Sequence, residues 1–71
     1  MAHGRIFRKM DRNRDDAQVQ LEACDALRVL AHDDANQVTL MTAKAHVRII
    51  RAMDRHQDDA NVKTTACLAL L

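Results

Sequence analysis

Hydrophobic residues recur along the chain at spacings of three and four positions. In the stretch 17–31 the apolar positions Val19, Ala23, Leu27 and Leu30 fall on one helical face. This spacing is typical of amphipathic helices and not of strands, in which apolar and polar residues alternate. The same spacing recurs elsewhere as Ile6 and Met10, as Ile49, Ile50 and Met53, and as Val62, Ala66, Ala69 and Leu70.

The predicted helix starts carry a common signal. The tripeptide Asp-Asp-Ala occurs at 15–17, 33–35 and 58–60. An Asp before the first turn accepts a hydrogen bond from a free backbone N–H, and its charge suits the positive end of the helix dipole. We therefore predict an all-α chain of five helices, at 3–13, 17–31, 35–43, 45–56 and 60–71.

The chain also contains an internal repeat. Residues 2–28 align with residues 45–71 at a constant offset of 43 without gaps, and 16 of the 27 aligned positions are identical. Matched pairs such as Arg5/Arg48 and Cys24/Cys67 show the register. A period of about 40–47 residues is typical of helical solenoids of the HEAT and armadillo type.

The chain resembles the armadillo repeat family most specifically in Val19-Gln20, Ala23-Cys24, Ala26-Leu27 and Leu30-Ala31. An armadillo unit has a short first helix, a second, and a long third helix rich in small residues. Residues 2–31 resemble the second and third helices of one unit, and residues 35–71 resemble a following unit. The resemblance implies a right-handed α-solenoid of about one and two-thirds repeats. Lys44 stands in place of the Gly that many armadillo units carry between the first two helices, which leaves open a HEAT-like bend there, either sharp or continuous.

A solenoid of this length is incomplete, because such folds need about three repeats and polar terminal caps. The last residues, Ala69-Leu70-Leu71, are apolar and carry no cap. We therefore expect a fragment of a longer solenoid. Its open ends would bind neighbouring repeats of the same chain or associate with each other, so that the isolated chain is unstable or self-associates.

Composition narrows the function classes. Proline is absent, Gly4 is the only glycine and Phe7 the only aromatic residue. The net charge of +1 argues against nucleic-acid binding by the whole chain. No apolar stretch reaches the length of a membrane span, and no signal segment follows Met1. We expect an intracellular protein of the cytoplasm or nucleus, with no membrane association.

A calcium loop is the main alternative. Asp11, Asn13, Asp15 and Glu22 stand at positions 1, 3, 5 and 12 of an EF-hand loop. However, Asp16 replaces the glycine that makes the sharp turn, and the second copy of the repeat breaks the pattern. We expect a capped helix–helix turn there instead.

Other chemical groups point to structural roles. Cys24 and Cys67 occupy equivalent positions, and we expect each to be a buried thiol. The four histidines form no metal-binding spacing. We predict no catalytic residue, no cofactor and no metal ligand, and therefore no enzyme. The arginines repeated on one stripe are expected to form a solvated outer face, with an acidic peptide or a nucleic-acid backbone as the alternative partner: Arg5, Arg8 and Arg12, then Arg48, Arg51 and Arg55.

The resemblance implies a protein-binding scaffold or adaptor. In armadillo proteins the third helices line a concave groove, and nuclear-import adaptors carry a Trp and an Asn there. The matching positions in this chain are Asp25, Val29 and Leu68, so the ligand specificity of those adaptors is not implied. We expect the groove to be lined by Leu21, Asp25, Arg28, Val29, His32, Thr64, Thr65 and Leu68.

Overall fold

The computed structural model describes residues 2–70, with the exception of the Ala2 side chain. The regular secondary structure of these residues is all α-helix, with no strand: α1 is Ala2–Arg12, α2 is Ala17–Leu30, α3 is Asp34–Thr42, α4 is Ala45–Arg55 and α5 is Ala60–Leu70. The all-α prediction is confirmed, and each described helix boundary lies within one residue of its predicted position. Leu71, predicted to end the last helix, lies outside the described residues.

Three helix starts are capped by an aspartate from the repeated tripeptide. Asp16 accepts a hydrogen bond from the Val19 backbone N–H at 3.1 Å, and Asp59 accepts one from Val62 at 3.0 Å. In the middle copy the cap is the first aspartate, Asp33, which accepts from Ala35 at 2.9 Å. Because Asp33 is the cap, α3 begins one residue earlier than predicted, at Asp34.

The turn between α3 and α4 is built on Lys44. Its backbone has φ 60° and ψ 44°, the left-handed conformation that usually favours glycine. The bend between these helices therefore has the geometry that a glycine would supply, although the side chain there is a lysine. This arrangement places a strained residue at the junction.

The helices form two similar pairs. Residues 13–16 join α1 to α2, residues 56–59 join α4 to α5, and the helices of each pair pack against each other. The most extensive packing is between α2 and α5, while α3 packs on α4. The described residues span about 33 × 23 × 16 Å. None of their helices is long and apolar enough to cross a membrane.

The core lies between the two helix pairs. Leu27 and Cys24 of α2, and Val62 and Ala66 of α5, are almost completely inaccessible to solvent. Around them are further buried apolar side chains: Phe7, Met10, Ala23, Leu40, Ala45, Ile49 and Ala52. Burial of a large aliphatic side chain contributes about 1.5–3 kcal/mol to folding, so this seam is the main source of stability.

The prediction that both cysteines are buried is wrong for Cys67. Cys24 is fully buried, whereas Cys67, at the equivalent position of α5, is exposed. Helix α2 lies between α1 and α5 and is packed on two sides. Helix α5 packs on α2 and α4, and Cys67 lies on a part of α5 that remains exposed to solvent.

Candidate protein-binding surface

Two ion pairs connect the first helix pair to the second. Arg48 of α4 donates to Asp11 of α1, with Nη2–Oδ2 at 3.1 Å and Nε–Oδ1 at 3.3 Å. Arg55 donates from Nε to Asp15 at 2.6 Å. The repeat places an aspartate opposite each of these arginines. The expectation of a solvated arginine face is wrong for Arg48, whose side chain is 27% exposed, whereas Arg55 is paired but remains 57% exposed.

The same junction contains an aromatic contact. The Arg48 guanidinium lies 4.3 Å from the centre of the Phe7 ring. The His3 and Phe7 rings form an edge-on pair, with centroids 5.6 Å apart and ring planes at 68°. A guanidinium over an aromatic face is held by the negative charge of the ring face, so Arg48 binds both a ring and a carboxylate across the junction.

Gln20 is a structural residue that the sequence analysis missed. Only 3% of its surface is exposed. Its Nε2 donates to the carbonyl oxygens of Met10 at 3.1 Å and Asn13 at 2.8 Å. Gln20 thereby satisfies the backbone at the end of α1. The second copy carries the exposed Lys63 at this position, so the repeat pattern offered no sign of this role.

The predicted groove residues lie on α2 and α5, with His32 just beyond α2. Most of them are accessible to a partner. Arg28 donates from Nη2 to Asp25 at 2.7 Å, so this charge is already balanced. The exposed residues are Asp25, Val29, His32, Thr64 and Leu68, and the half-buried ones are Leu21, Arg28 and Thr65.

The structure brings three of these eight residues together in one cleft. Arg28, His32 and Leu68 line a cleft of about 540 Å³ between the ends of α2 and α5 and the helices α3 and α4. Leu21, Asp25, Val29, Thr64 and Thr65 do not line it. The cleft walls also contain residues that the sequence analysis did not assign to a site: Ala31, Gln37, Leu40, Met41, Ala45, His46, Ile49, Ala69 and Leu70.

Met41 is the most exposed apolar residue among them, at 73%. Its helix α3 has apolar residues on several faces, so spacing along the sequence could not show which of them would stay in solvent. Leu68 is 46% exposed and lies on the same cleft. An exposed apolar lining with a few polar groups at its edge is typical of sites that bind partner side chains.

A second, smaller groove runs between α1 and α4. It has a volume of about 330 Å³, and its lining includes Arg14 and Arg51 together with the paired Arg48 and Arg55. The carbonyl oxygen of Arg14 lies 2.8 Å from Nε2 of His56. Because that oxygen can only accept, Nε2 is the donor. Aspartates pair with two of its four arginines, and Asp54 also lines the groove.

The four side chains of the EF-hand pattern are dispersed among other contacts. Asp11 and Asp15 accept from the arginines of α4, and Asn13 donates to the Lys9 carbonyl at 2.8 Å. Glu22 accepts from Gln18 at 3.2 Å. Within residues 2–70, no three acidic, histidine or cysteine side chains lie close enough to share a metal ion.

Burial changes the chemistry of Cys24. Removal from water disfavours the thiolate and raises the pKa of the Cys24 thiol to about 11. Because the thiolate is the nucleophilic form, Cys24 is unreactive in the folded chain near neutral pH. The geometry gives Cys24 a packing role.

Comparison of the chain with protein-family models, with curated proteins and with solved structures finds no match.

Proposed function

We propose that this chain is a segment of an armadillo-type solenoid that binds protein partners through the surface formed by α2 and α5. One observation carries the proposal: α1–α2 and α4–α5 derive from equivalent sequence and pack side by side, with α2 against α5. Solenoids stack repeats in this way, and their stacked helices form extended binding surfaces.

The cleft at the end of α2 and α5 is the most suitable anchor point for a partner. Leu68 and Met41 offer exposed apolar surface, while His32 and His46 stand at the same cleft. Interfaces draw most of their binding energy from a few large side chains that enter such depressions. We therefore expect the partner to be a peptide segment that inserts an apolar side chain beside Leu68.

The alternative functions, binding of calcium or of a nucleic-acid backbone, have weaker support. The two aspartates that would begin a calcium loop, Asp11 and Asp15, are engaged by arginines. The same pairing reduces the positive charge available to phosphates at Arg48 and Arg55. We expect the chain to act inside the cell, in the cytoplasm or nucleus, where free thiols such as the two of this chain remain reduced.

Peptide selection tests the proposed function. A displayed library of random linear peptides would be selected on the immobilised chain, and the enriched peptides would be measured by fluorescence anisotropy. We expect Leu68→Asp to weaken binding by about tenfold or more, because it puts a charge next to the apolar side chain of the peptide that is buried on binding. Val38→Asp is the matched control, since Val38 is 67% exposed on α3 and does not line the cleft.

Selected peptides that bind the Leu68→Asp variant as well as the native chain would contradict this site. Calcium titration and salt-dependent binding of a random DNA duplex would evaluate the two alternatives. Micromolar calcium binding that is lost in Asp11→Ala would favour the calcium function over the scaffold.

A further inference from the structure

Five positions that join the first unit to the second have exposed counterparts 43 residues later. In the first unit, Phe7 and Leu27 are 7% and 2% exposed, whereas the equivalent Ile50 and Leu70 are 45% and 43% exposed. Buried Cys24 corresponds to exposed Cys67. Asp11 and Asp15 bind arginines, and they correspond to the exposed Asp54 and Asp58. We call the second set the open face: Ile50, Asp54, Asp58, Cys67 and Leu70.

The opposite end of the chain carries the complementary charges. Arg48 and Arg55, which bind the aspartates of the first unit, correspond to Arg5 and Arg12 of α1. Both Arg5 and Arg12 are exposed, and within the described residues neither forms an ion pair. The spacing of seven residues, two helical turns, is the same in the two pairs of arginines.

We propose that the open face binds α1 of a second copy of this chain. In this contact, α1 of the second copy would lie against α4 and α5 of the first copy as α4 lies against α1 and α2 within one chain. Arg5 and Arg12 of the second copy then pair with Asp54 and Asp58 of the first. The inference rests on the repeat arrangement of the proposed function and extends it by naming a partner. Since the two surfaces differ, the contact is head-to-tail and can add further copies.

The charges and their spacing favour a second copy over an unrelated partner. The open face presents two carboxylates beside apolar Ile50 and Leu70, and α1 presents two guanidinium groups at the matching spacing. Such complementarity sets orientation and suppresses wrong partners. Pairs of this kind are exposed, so added salt weakens them.

One position opposes the contact and provides a directional test. Ala52 is 4% exposed and lines the groove between α1 and α4 together with Gln20. In the proposed contact between copies, the position equivalent to Ala52 is Lys9 of the second copy, and the position equivalent to Gln20 is Lys63 of the first copy. Two lysines then share one groove. Lys9→Ala should therefore tighten association, by about three- to tenfold.

A charge exchange tests the contact. The first variant is Arg5→Asp/Arg12→Asp, and the second is Asp54→Arg/Asp58→Arg. Sedimentation velocity at increasing concentration would be recorded for the native chain, for Lys9→Ala, for each double variant and for their equimolar mixture. Circular dichroism would establish that each variant retains its helices.

We expect concentration-dependent association of the native chain, which is stronger for Lys9→Ala. Each double variant should associate at least about tenfold more weakly, because like charges then face each other. The equimolar mixture should associate again, because every junction then joins opposite charges. The inference would be overturned if both double variants associated as strongly as the native chain. It would also be overturned if the equimolar mixture stayed monomeric. A third contradicting result would be that the native chain and Lys9→Ala both remain monomeric at millimolar concentration.

The two proposals fail in different ways. Leu70 belongs both to the Leu68 cleft and to the open face. Peptides would therefore be selected on the Arg5→Asp/Arg12→Asp variant, whose cleft residues are unchanged and which should not associate. A monomeric chain that still binds peptides sensitive to Leu68→Asp would refute the second-copy contact alone. A chain that associates with charge-dependent specificity and yields no such peptide would refute the proposed cleft function alone.

Discussion

Arg48 lies over the ring of Phe7 at 4.3 Å, and these two residues belong to different units of the repeat. The same guanidinium binds Asp11 through two nitrogen atoms. A planar, always-charged group can satisfy both partners at once, which a lysine ammonium cannot do in this geometry. Arg48 is therefore the main polar connection between the two units.

Removal of this connection should lower stability. We expect Arg48→Ala to reduce the free energy of unfolding by about 1–2 kcal/mol, because it removes a cation–π contact and a bidentate ion pair that is partly exposed. Urea unfolding followed by circular dichroism would measure the change. Arg51→Ala, at an exposed arginine on the same helix, should change stability by less than about 0.5 kcal/mol. Equal losses in the two variants would contradict the assigned role.

The sequence predicts the helices well because their signals are local. Apolar spacing and the Asp-Asp-Ala caps at Asp16 and Asp59 act within one or two turns, and the structure contains helices where these signals place them. The environment of a side chain is not local. Cys24 and Cys67 each follow an alanine and precede an Ala-Leu pair by two residues, and they differ in how the neighbouring helices pack around them.

The candidate surface was predictable only in part for the same reason. The repeat indicated that α2 and α5 share a face, and Arg28, His32 and Leu68 do line one cleft. The contribution of Met41 depends on how α3 turns into α4 through the left-handed Lys44, a conformation that nothing in the residue type indicates.

The left-handed conformation of Lys44 leads to a second prediction. Lys44→Gly should raise the free energy of unfolding by about 0.5–1 kcal/mol, because the relief of backbone strain exceeds the added entropy of the unfolded chain. Thermal unfolding would show a higher midpoint. As a control of opposite sign, Met41→Gly within α3 should cost about 1 kcal/mol. If Lys44→Gly lowered stability as Met41→Gly does, the backbone of Lys44 would not be strained.

The two thiols should react very differently. We expect a thiol reagent such as dithiobis-nitrobenzoate to label Cys67 rapidly in the folded chain at pH 8, because Cys67 is exposed. Cys24 should react only in urea, since it is fully buried and its pKa is raised to about 11. Absorbance would give one fast equivalent in buffer and two after unfolding. Cys67→Ser should abolish the fast equivalent, and rapid labelling that persists in this variant would contradict the burial of Cys24.

Burial of Cys24 also predicts a dependence of stability on pH. The pKa of its thiol is about 11 in the folded chain and 9.0 without burial. As pH rises above 9.0 the unfolded chain loses this proton first, so stability that is present below pH 9.0 is lost progressively up to about pH 11. The Cys24 contribution at pH 10 should be a loss of about 1 kcal/mol relative to pH 7.

Urea unfolding of the native chain and of Cys24→Ala at both pH values would isolate this contribution. The alanine variant is less stable at pH 7 because it leaves a small cavity, but it should lose less stability between pH 7 and pH 10 than the native chain. Parallel pH profiles of the two proteins would exclude the thiol as the source.

Because α2 packs on α5, the order of synthesis on the ribosome affects how the chain folds. Cys24 and Leu27 are synthesised 43 residues before Cys67 and Leu70 of the helix that packs on α2. At a synthesis rate of about 5–20 residues per second, the apolar face of α2 remains exposed for roughly 2–9 seconds before α5 has been synthesised. Nascent chains in that interval are suitable clients for chaperones that bind apolar segments.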